Sequence, residues 1–244
     1  MRHQHVVSGH ATSGILVAVC DVATAADRYG HLLSAVERTG AAAYPPHRAR
    51  EFTAGRGLLR WALGHTLEAG AAASRIVLTD RGKPVLADRP ATGISLSHSG
   101  GTVAVAVAVG RAVGIDLQAP VPVTDGLLRR CCTPEQQREL AALEPDRRPT
   151  ALARRWTILE AHAKATGRGL TRSPGRFPGP LLARRGHGRD FAWRTLPPLG
   201  GCAAALAFDG PAHRVRLRIA LPAGTPGPRR TVHDTHPHRE APTR

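Results

Sequence analysis

Ile94-Ser-Leu-Ser-His-Ser-Gly-Gly101 runs directly into Thr102-Val-Ala-Val-Ala-Val-Ala-Val109, and after Gly110-Arg111 comes Val113-Gly-Ile-Asp-Leu117. The alternation of valine and alanine has a period of two, which fits a strand with one bulkier and one lighter face. Ile94 to Ser97 reads as a strand ahead of the Gly100-Gly101 turn. Val113 to Leu117 reads as a further strand, expected to pair antiparallel with the valine–alanine strand.

Working outward, residues 1–13 read as a flexible N-terminus and Ile15 to Cys20 as a first strand. A helix is expected from Ala25 to Thr39, with Leu32, Leu33 and Val36 on one face. Beyond Pro45-Pro46, Ala49 to Leu67 is helical in pattern. Phe52, Leu59, Leu63 and Leu67 face the core there, while Arg48, Arg50, Arg56 and Arg60 populate other faces. Ile76-Val-Leu78 is a brief strand, and Asp80-Arg-Gly-Lys-Pro84 is turn chemistry. In the second half, Thr133-Pro-Glu-Gln136 has the form of an N-cap, a proline at N1 and an acidic first turn. Thr150 to Thr166 is a longer helix stopped by Gly167 and Gly169. Residues 171–189 read as a surface loop. Phe191 to Thr195, Ala203 to Phe208 and Val215 to Ile219 read as closing strands, and the chain from Pro222 is polar and disordered in character.

Strands and helices thus recur in two similar series on either side of residue 113. The expected fold is α+β, two compact α/β lobes (14–113 and 114–221) between a flexible leader (1–13) and a disordered tail (222–244), with a ligand cleft between the lobes. A chain of 244 residues is long enough to bury a real core, although only 4% of it is aromatic. Thirty-four Lys and Arg against 18 Asp and Glu give a formal charge of +16. Such a surface attracts polyanions, whether nucleic acid, a multiply phosphorylated cofactor or an acidic protein. Arginine richness is equally compatible with a plain echo of genome composition. Cys20, Cys131, Cys132 and Cys202 form no CxxC pair and no zinc pattern, which fits a reduced, cytoplasmic protein. Val103 to Val109 is far too short for a membrane span, and the leader lacks a signal-peptide layout.

Asp116 is an acid inside an apolar strand, a costly placement unless it is paired or metal-bound. Taken alone it also fits an edge-strand carboxylate facing water. Trp156, Glu160 and Lys164 recur every four residues and share one helix face. That set alone fits a surface Glu–Lys pair beside a packed tryptophan. Together, a strand carboxylate and a helix carboxylate can chelate Mg²⁺, whose ligands are carboxylates, waters and substrate phosphates. His98, between Ser97 and Ser99 and ahead of two glycines, suits a phosphate-contacting loop, and Lys83 is another cationic donor. His162 is expected away from the Glu160 face and exposed. His233, His236 and His238 read as tail residues.

At these residues the chain resembles a 4′-phosphopantetheinyl transferase of the two-lobed, pseudo-dimeric, surfactin-synthetase-activating type. Arg81-Gly-Lys-Pro84, Ser95-Leu-Ser-His-Ser-Gly100, Val113-Gly-Ile-Asp-Leu117 and Trp156 through Gly169-Leu170 fall in that family's order and approximate spacing. Phe52 to Leu63 resembles its arginine-bearing helix, and Pro197-Pro-Leu-Gly-Gly201 with Ala203 to Phe208 its closing hairpin. The resemblance spans roughly residues 15–220. It implies two lobes about a pseudo-twofold axis with coenzyme A and Mg²⁺ between them, Mn²⁺ being admitted by the same oxygen ligands. The implied reaction moves the phosphopantetheine arm to a serine of an apo acyl or peptidyl carrier protein of fatty-acid, polyketide or nonribosomal-peptide synthesis, releasing adenosine 3′,5′-bisphosphate. Asp116 and Glu160 would hold the metal, with Gln118 contributing through water. Glu160 would also be the base, and Lys164 would stabilise the pyrophosphate. Lys83, Ser97 and His98 would hold coenzyme phosphates, His98 the 3′-phosphate, with Arg50 or Arg56 assisting. A monomer is implied, with neither nucleic acid nor membrane as partner.

Two departures from the family pattern stand out. Gln118 occupies a position where the family often has a second acid, and Leu159 replaces the lysine that usually precedes the helix glutamate. Each lost charge-assisted hydrogen bond is worth roughly 1.5–3 kcal/mol. Arg154 or Arg155 is the expected compensation. The alternatives are a non-catalytic carrier-binding relative and a basic nucleic-acid-binding protein or nuclease. The latter lacks a zinc finger, a helix-turn-helix signature and an aromatic-interleaved basic strand.

Overall fold

The valine–alanine strand is the middle of the molecule. A computed structural model describes residues 14–68, 70–169, 179–187, 191–210 and 216–220. In it, strand β5 (Thr102–Val109) pairs antiparallel with both β1 (Gly14–Asp21) and β4 (Thr92–Ser99). Its valines pack on helix α3 (Pro46–Thr66) with Leu58, Leu59, Ala62 and Leu63. Its alanines face a second sheet through Ile115, Leu206 and Phe208. That sheet has the order β6 (Val113–Gln118), β9 (Ala203–Asp209), β8 (Phe191–Thr195), β7 (Arg185–His187). Its outer face carries α6 (Arg148–Thr166), through Ile158, Ala161 and Ala165 against Trp193, Ala205 and Ala207. The layers therefore run α3, first sheet, second sheet, α6, an α+β arrangement of two similarly composed lobes.

The two lobes repeat one device. Gly100 and Gly101 join β4 to β5 with φ of 55° and 77°, and Gly200 and Gly201 join β8 to β9 with φ of 57° and 78°. Two consecutive residues at positive φ make the tight hairpin whose twist matches its strands. The turns lie against each other: a Cβ on Gly200 would fall 2.1 Å from Thr102 Oγ1, and one on Gly100 3.3 Å from Cys202 Sγ.

Several expectations are corrected. The helix expected over 25–39 is two, α1 (Val22–Tyr29) and α2 (Ala35–Ala42), because Ser34 starts a new helix by a reciprocal capping box with Glu37. Val36 consequently points outward and is 82% exposed. Arg60 is not on a free face; it is buried and donates from Nε to Glu37 Oε2 at 2.6 Å. Strand β6 does not pair with β5. Its ladder is to β9, and its other edge meets β4 through side chains: Ser95, Ser97 and Ser99 Oγ accept from the N–H of Ile115, Leu117 and Ala119 at 3.0, 3.1 and 2.9 Å. The last strand, β10 (Arg216–Ala220), does not close the second sheet but pairs parallel with β1 in the first. Part of the expected 171–189 loop is structured, since β7 pairs with β8 and Leu181 is buried. His162 is half-buried, edge-on to Phe191 at 5.6 Å.

Elsewhere the expected elements stand. Thr133 and Gln136 form a capping box at the start of α5 (Pro134–Ala141), which together with α4 (Asp125–Cys131) packs a small core on α6. Gly167, at φ 68°, ends α6. The leader, Leu170, Val215, the tail from 222 and the tail histidines lie outside the described residues. Among those described, no helix is long and apolar enough to cross a membrane.

Candidate active site

The seam between β4 and β6 opens, at its glycine-hairpin end, into a cleft of about 290 Å³. Strand β4 lends it Ser97 and His98, β6 lends Asp116 and Gln118, and α6 lends Trp156, Glu160 and Lys164. The helix can come this close because Val113, Ile115 and Leu117 turn to the inter-sheet core, leaving Gly114, Asp116 and Gln118 on the other face. A Cβ on Gly114 would lie 2.0 Å from the Ala161 carbonyl oxygen, so glycine alone fits there.

Asp116 is 5% exposed. Its Oδ1 accepts from Lys164 Nζ at 2.6 Å and from Ser97 Oγ at 2.8 Å, while Oδ2 is buried without a hydrogen-bond partner among the described residues. Burial pushes its carboxyl above the usual range, against the pull of Lys164, Ser97 and the Leu117 N–H. Glu160 is also pushed up, first by burial and then by the charge of Asp116, with Lys164 and Arg130 opposing. Two carboxyls both pushed up by burial, one further raised by the other's charge and one with an orphaned oxygen, form a site short of positive charge. A divalent cation fits that deficit. Among the described residues no group of three or more His, Cys, Asp or Glu is gathered, so a cation here would draw its remaining ligands from Gln118, water or substrate. Mg²⁺ accepts such a set, since it retains waters and takes few carboxylates.

His98 sits between two residues of α3. Its Nε2 lies 2.8 Å from Arg48 Nη1 and its Nδ1 3.3 Å from Glu51 Oε1. An arginine can only donate, so Nε2 accepts and Nδ1 carries the proton toward Glu51. Burial holds the imidazole below its ordinary pKa, the Glu51 carboxylate partly restoring it. Neither Arg48 nor Glu51 was a sequence candidate; they stand one helical turn apart and reach a histidine fifty positions later, which no local pattern announces. Arg130 was likewise missed: it stacks over Trp156 at 5.4 Å and bears electrostatically on Glu160.

The other sequence candidates lie elsewhere. Lys83 Nζ donates to the Ala165 carbonyl at 2.7 Å, capping the C-terminal end of α6, and burial lowers its pKa. Arg50 is exposed on α3, and Arg56 packs over Phe52 at 5.4 Å beside Glu37; neither lines the cleft. The compensating role expected of Arg154 or Arg155 finds no geometric support. Arg154 bonds Leu182 O, Ala183 O and Thr195 Oγ1, and Arg155 is buried with Nε on the Cys131 carbonyl. Leu159 is core, packed among the apolar residues under α4 and α5.

Residues 112–187, which hold Asp116, Glu160 and Lys164, match the family model of the 4′-phosphopantetheinyl transferase superfamily. Over that stretch the chain is similar to the members of that superfamily. Over 134 residues it is 38% identical to the 4′-phosphopantetheinyl transferase HetI of Nostoc sp., covering 53% of this chain and 56% of that one. It is 30% identical over 148 residues to slr0495 of Synechocystis sp. (59% and 60% covered). To a 4′-phosphopantetheinyl transferase of Bacillus subtilis it is 30% identical over 90 residues (37% and 40% covered). The matches thus span between two fifths and three fifths of the relatives' lengths.

Proposed function

We propose that this chain transfers the 4′-phosphopantetheine arm of coenzyme A to a serine of an apo acyl or peptidyl carrier protein, releasing adenosine 3′,5′-bisphosphate. The observation that carries the reading is the meeting of Asp116, Glu160 and Lys164 at the lobe seam, one residue of β4 away from His98. The carrier serine oxygen attacks the phosphorus bearing the pantetheine arm. The bond from that phosphorus to the bridging pyrophosphate oxygen breaks, and the nucleotide bisphosphate leaves with the electron pair. Glu160 takes the serine proton, directly or through water, a role favoured by its raised proton affinity. Lys164 moves from Asp116 toward the pyrophosphate oxygens as charge grows there. His98, with Arg48 beside it, faces the 3′-phosphate. Mg²⁺, held by Asp116 and Glu160 with Gln118 through water, would supply further neutralisation of the pyrophosphate; Mn²⁺ suits the same oxygen donors.

The net charge of +16 suits both an anionic coenzyme and an acidic carrier surface. Arg130, rather than Arg154 or Arg155, offers the cation that Leu159 does not. The four cysteines are free thiols, in keeping with a reducing cytoplasm. A monomer, without nucleic acid or membrane as partner, completes the reading. The test is incubation with several apo carrier proteins, coenzyme A and Mg²⁺, read by intact mass. The wild type adds one phosphopantetheine arm and Glu160→Ala adds none. Coenzyme binding without transfer to any carrier would favour a carrier-binding relative instead, and absence of coenzyme binding would sink the transferase reading.

A further inference from the structure

We infer that Ser97 is a positioning residue for Asp116 and not a ligand of the coenzyme phosphate. The inference rests on the proposed reading of Asp116 as a metal ligand and goes beyond it in assigning Ser97. A serine hydroxyl has one proton to donate. That of Ser97 goes to Asp116 Oδ1 at 2.8 Å, while its oxygen accepts the Leu117 N–H at 3.1 Å. Phosphate oxygens need a donor, so Ser97 would have to release Asp116 to bind one. Its neighbour His98 faces the opposite way, to Arg48 and Glu51, as alternation along β4 requires.

Ser97 is also buried, at 6% exposed, which fits a fixed support better than a mobile contact. Lys164 adds a second donor to the same Oδ1. With Oδ1 held from two sides, the carboxylate cannot rotate without breaking both bonds, and Oδ2 is left as its unsatisfied acceptor. Ser97 therefore selects which oxygen of Asp116 is offered to a cation. The other serines of the ladder do not share this role. Ser95 Oγ accepts the Ile115 N–H at 3.0 Å and bonds no carboxylate among the described residues.

Ser95 supplies the control for a merely structural effect, because Ser95→Ala and Ser97→Ala each remove one bond from a β6 backbone N–H, and only Ser97→Ala also removes the bond to Asp116. The measurements are Mn²⁺ binding in the presence of coenzyme A, by electron paramagnetic resonance, and the affinity ratio of coenzyme A to dephospho-coenzyme A, by calorimetry. Thermal melting is recorded alongside. Both variants should stay folded at the assay temperature, with Ser97→Ala melting at or below Ser95→Ala because it loses the additional bond to Asp116. Ser97→Ala should bind Mn²⁺ about tenfold more weakly, the usual cost of losing a support of a metal ligand. Ser95→Ala should match wild type, and the coenzyme ratio should hold in both. Unchanged Mn²⁺ affinity in Ser97→Ala, equal losses in both variants, or a collapsed coenzyme ratio in Ser97→Ala would overturn the assignment. If the wild type itself binds no Mn²⁺, the metal reading fails first and the assignment falls with it.

Discussion

Replacing Gly114 by alanine sets a methyl group 2.0 Å from the Ala161 carbonyl oxygen and 2.4 Å from the Ala165 nitrogen. Both are backbone atoms of α6, so no side-chain rotation relieves the clash. Carbon–oxygen contacts of this kind essentially never fall below 3.0 Å, so helix and strand must part by about 1 Å (3.0 less 2.0). Inserting a carbon into a tight core costs typically 1–3 kcal/mol, and a backbone clash belongs at the upper end, about 3 kcal/mol. For a chain of this size that lowers the melting temperature by about 6–12 °C. The same displacement moves Glu160 and Lys164 from Asp116, and a misplacement of about 1 Å can cost about a hundredfold in rate. Gly55→Ala is the counterpart: that glycine lies inside α3 with nothing within 4 Å of the added carbon. It should gain about 0.5–1 kcal/mol from helix propensity. Circular-dichroism melting, with carrier modification assayed well below either transition, separates stability from geometry. A Gly114→Ala protein that melts with the wild type refutes the close-packing argument, and one that melts low but modifies carriers at the wild-type rate refutes its link to the site.

Glu160 binds its proton more tightly in the fold than in the unfolded chain. The stabilisation this gives is complete below the unfolded carboxylate range and is lost as pH rises through the raised folded value. Glu160→Gln should therefore outlast wild type in thermal melting at neutral pH, with the gap closing in acid; a gap that widens in acid contradicts the assignment. Arg60→Ala leaves the buried Glu37 carboxylate without its 2.6 Å partner and should cost about 3–5 kcal/mol in urea unfolding, whereas a loss under 1 kcal/mol would mean that Arg56 takes over. All four cysteines are buried, and Cys131 is pushed up to about 12, chiefly by burial. Native protein should resist alkylation at mildly alkaline pH and expose four thiols only on unfolding; rapid labelling of Cys131 would place the α4–α6 packing in error.

Period-two and period-four patterns carried most of what was legible. The valine–alanine strand lies where its alternation put it, and Trp156, Glu160 and Lys164 reach one cleft because a helix repeats nearly every four residues. The sequence reading could not see which sheet β6 joins, because an apolar strand reads alike in either. Its true neighbours emerge only through serine side chains twenty residues upstream. The break between α1 and α2 was present in Ser34 and Glu37, a capping signature masked by the apolar residues around it. Arg48 and Glu51 were illegible for another reason: their tie to His98 is purely tertiary. Gly100-Gly101 and Gly200-Gly201 were both in view, yet two dipeptides do not declare a repeat until their hairpins are seen to touch.

The parallel pairing of β1 with β10 has a mechanical consequence. Their register runs from Gly14 opposite Arg216 to Ala18 opposite Ala220, so both strands point the same way. Tension entering at Gly14 and leaving at Ala220 pulls the two strands in opposite senses along their length. It loads every bond of the ladder together in shear instead of unzipping them one at a time. Strand β10 thus fastens the far half of the chain to the first strand of the near half, and stretching the protein meets that fastening before it reaches the cleft.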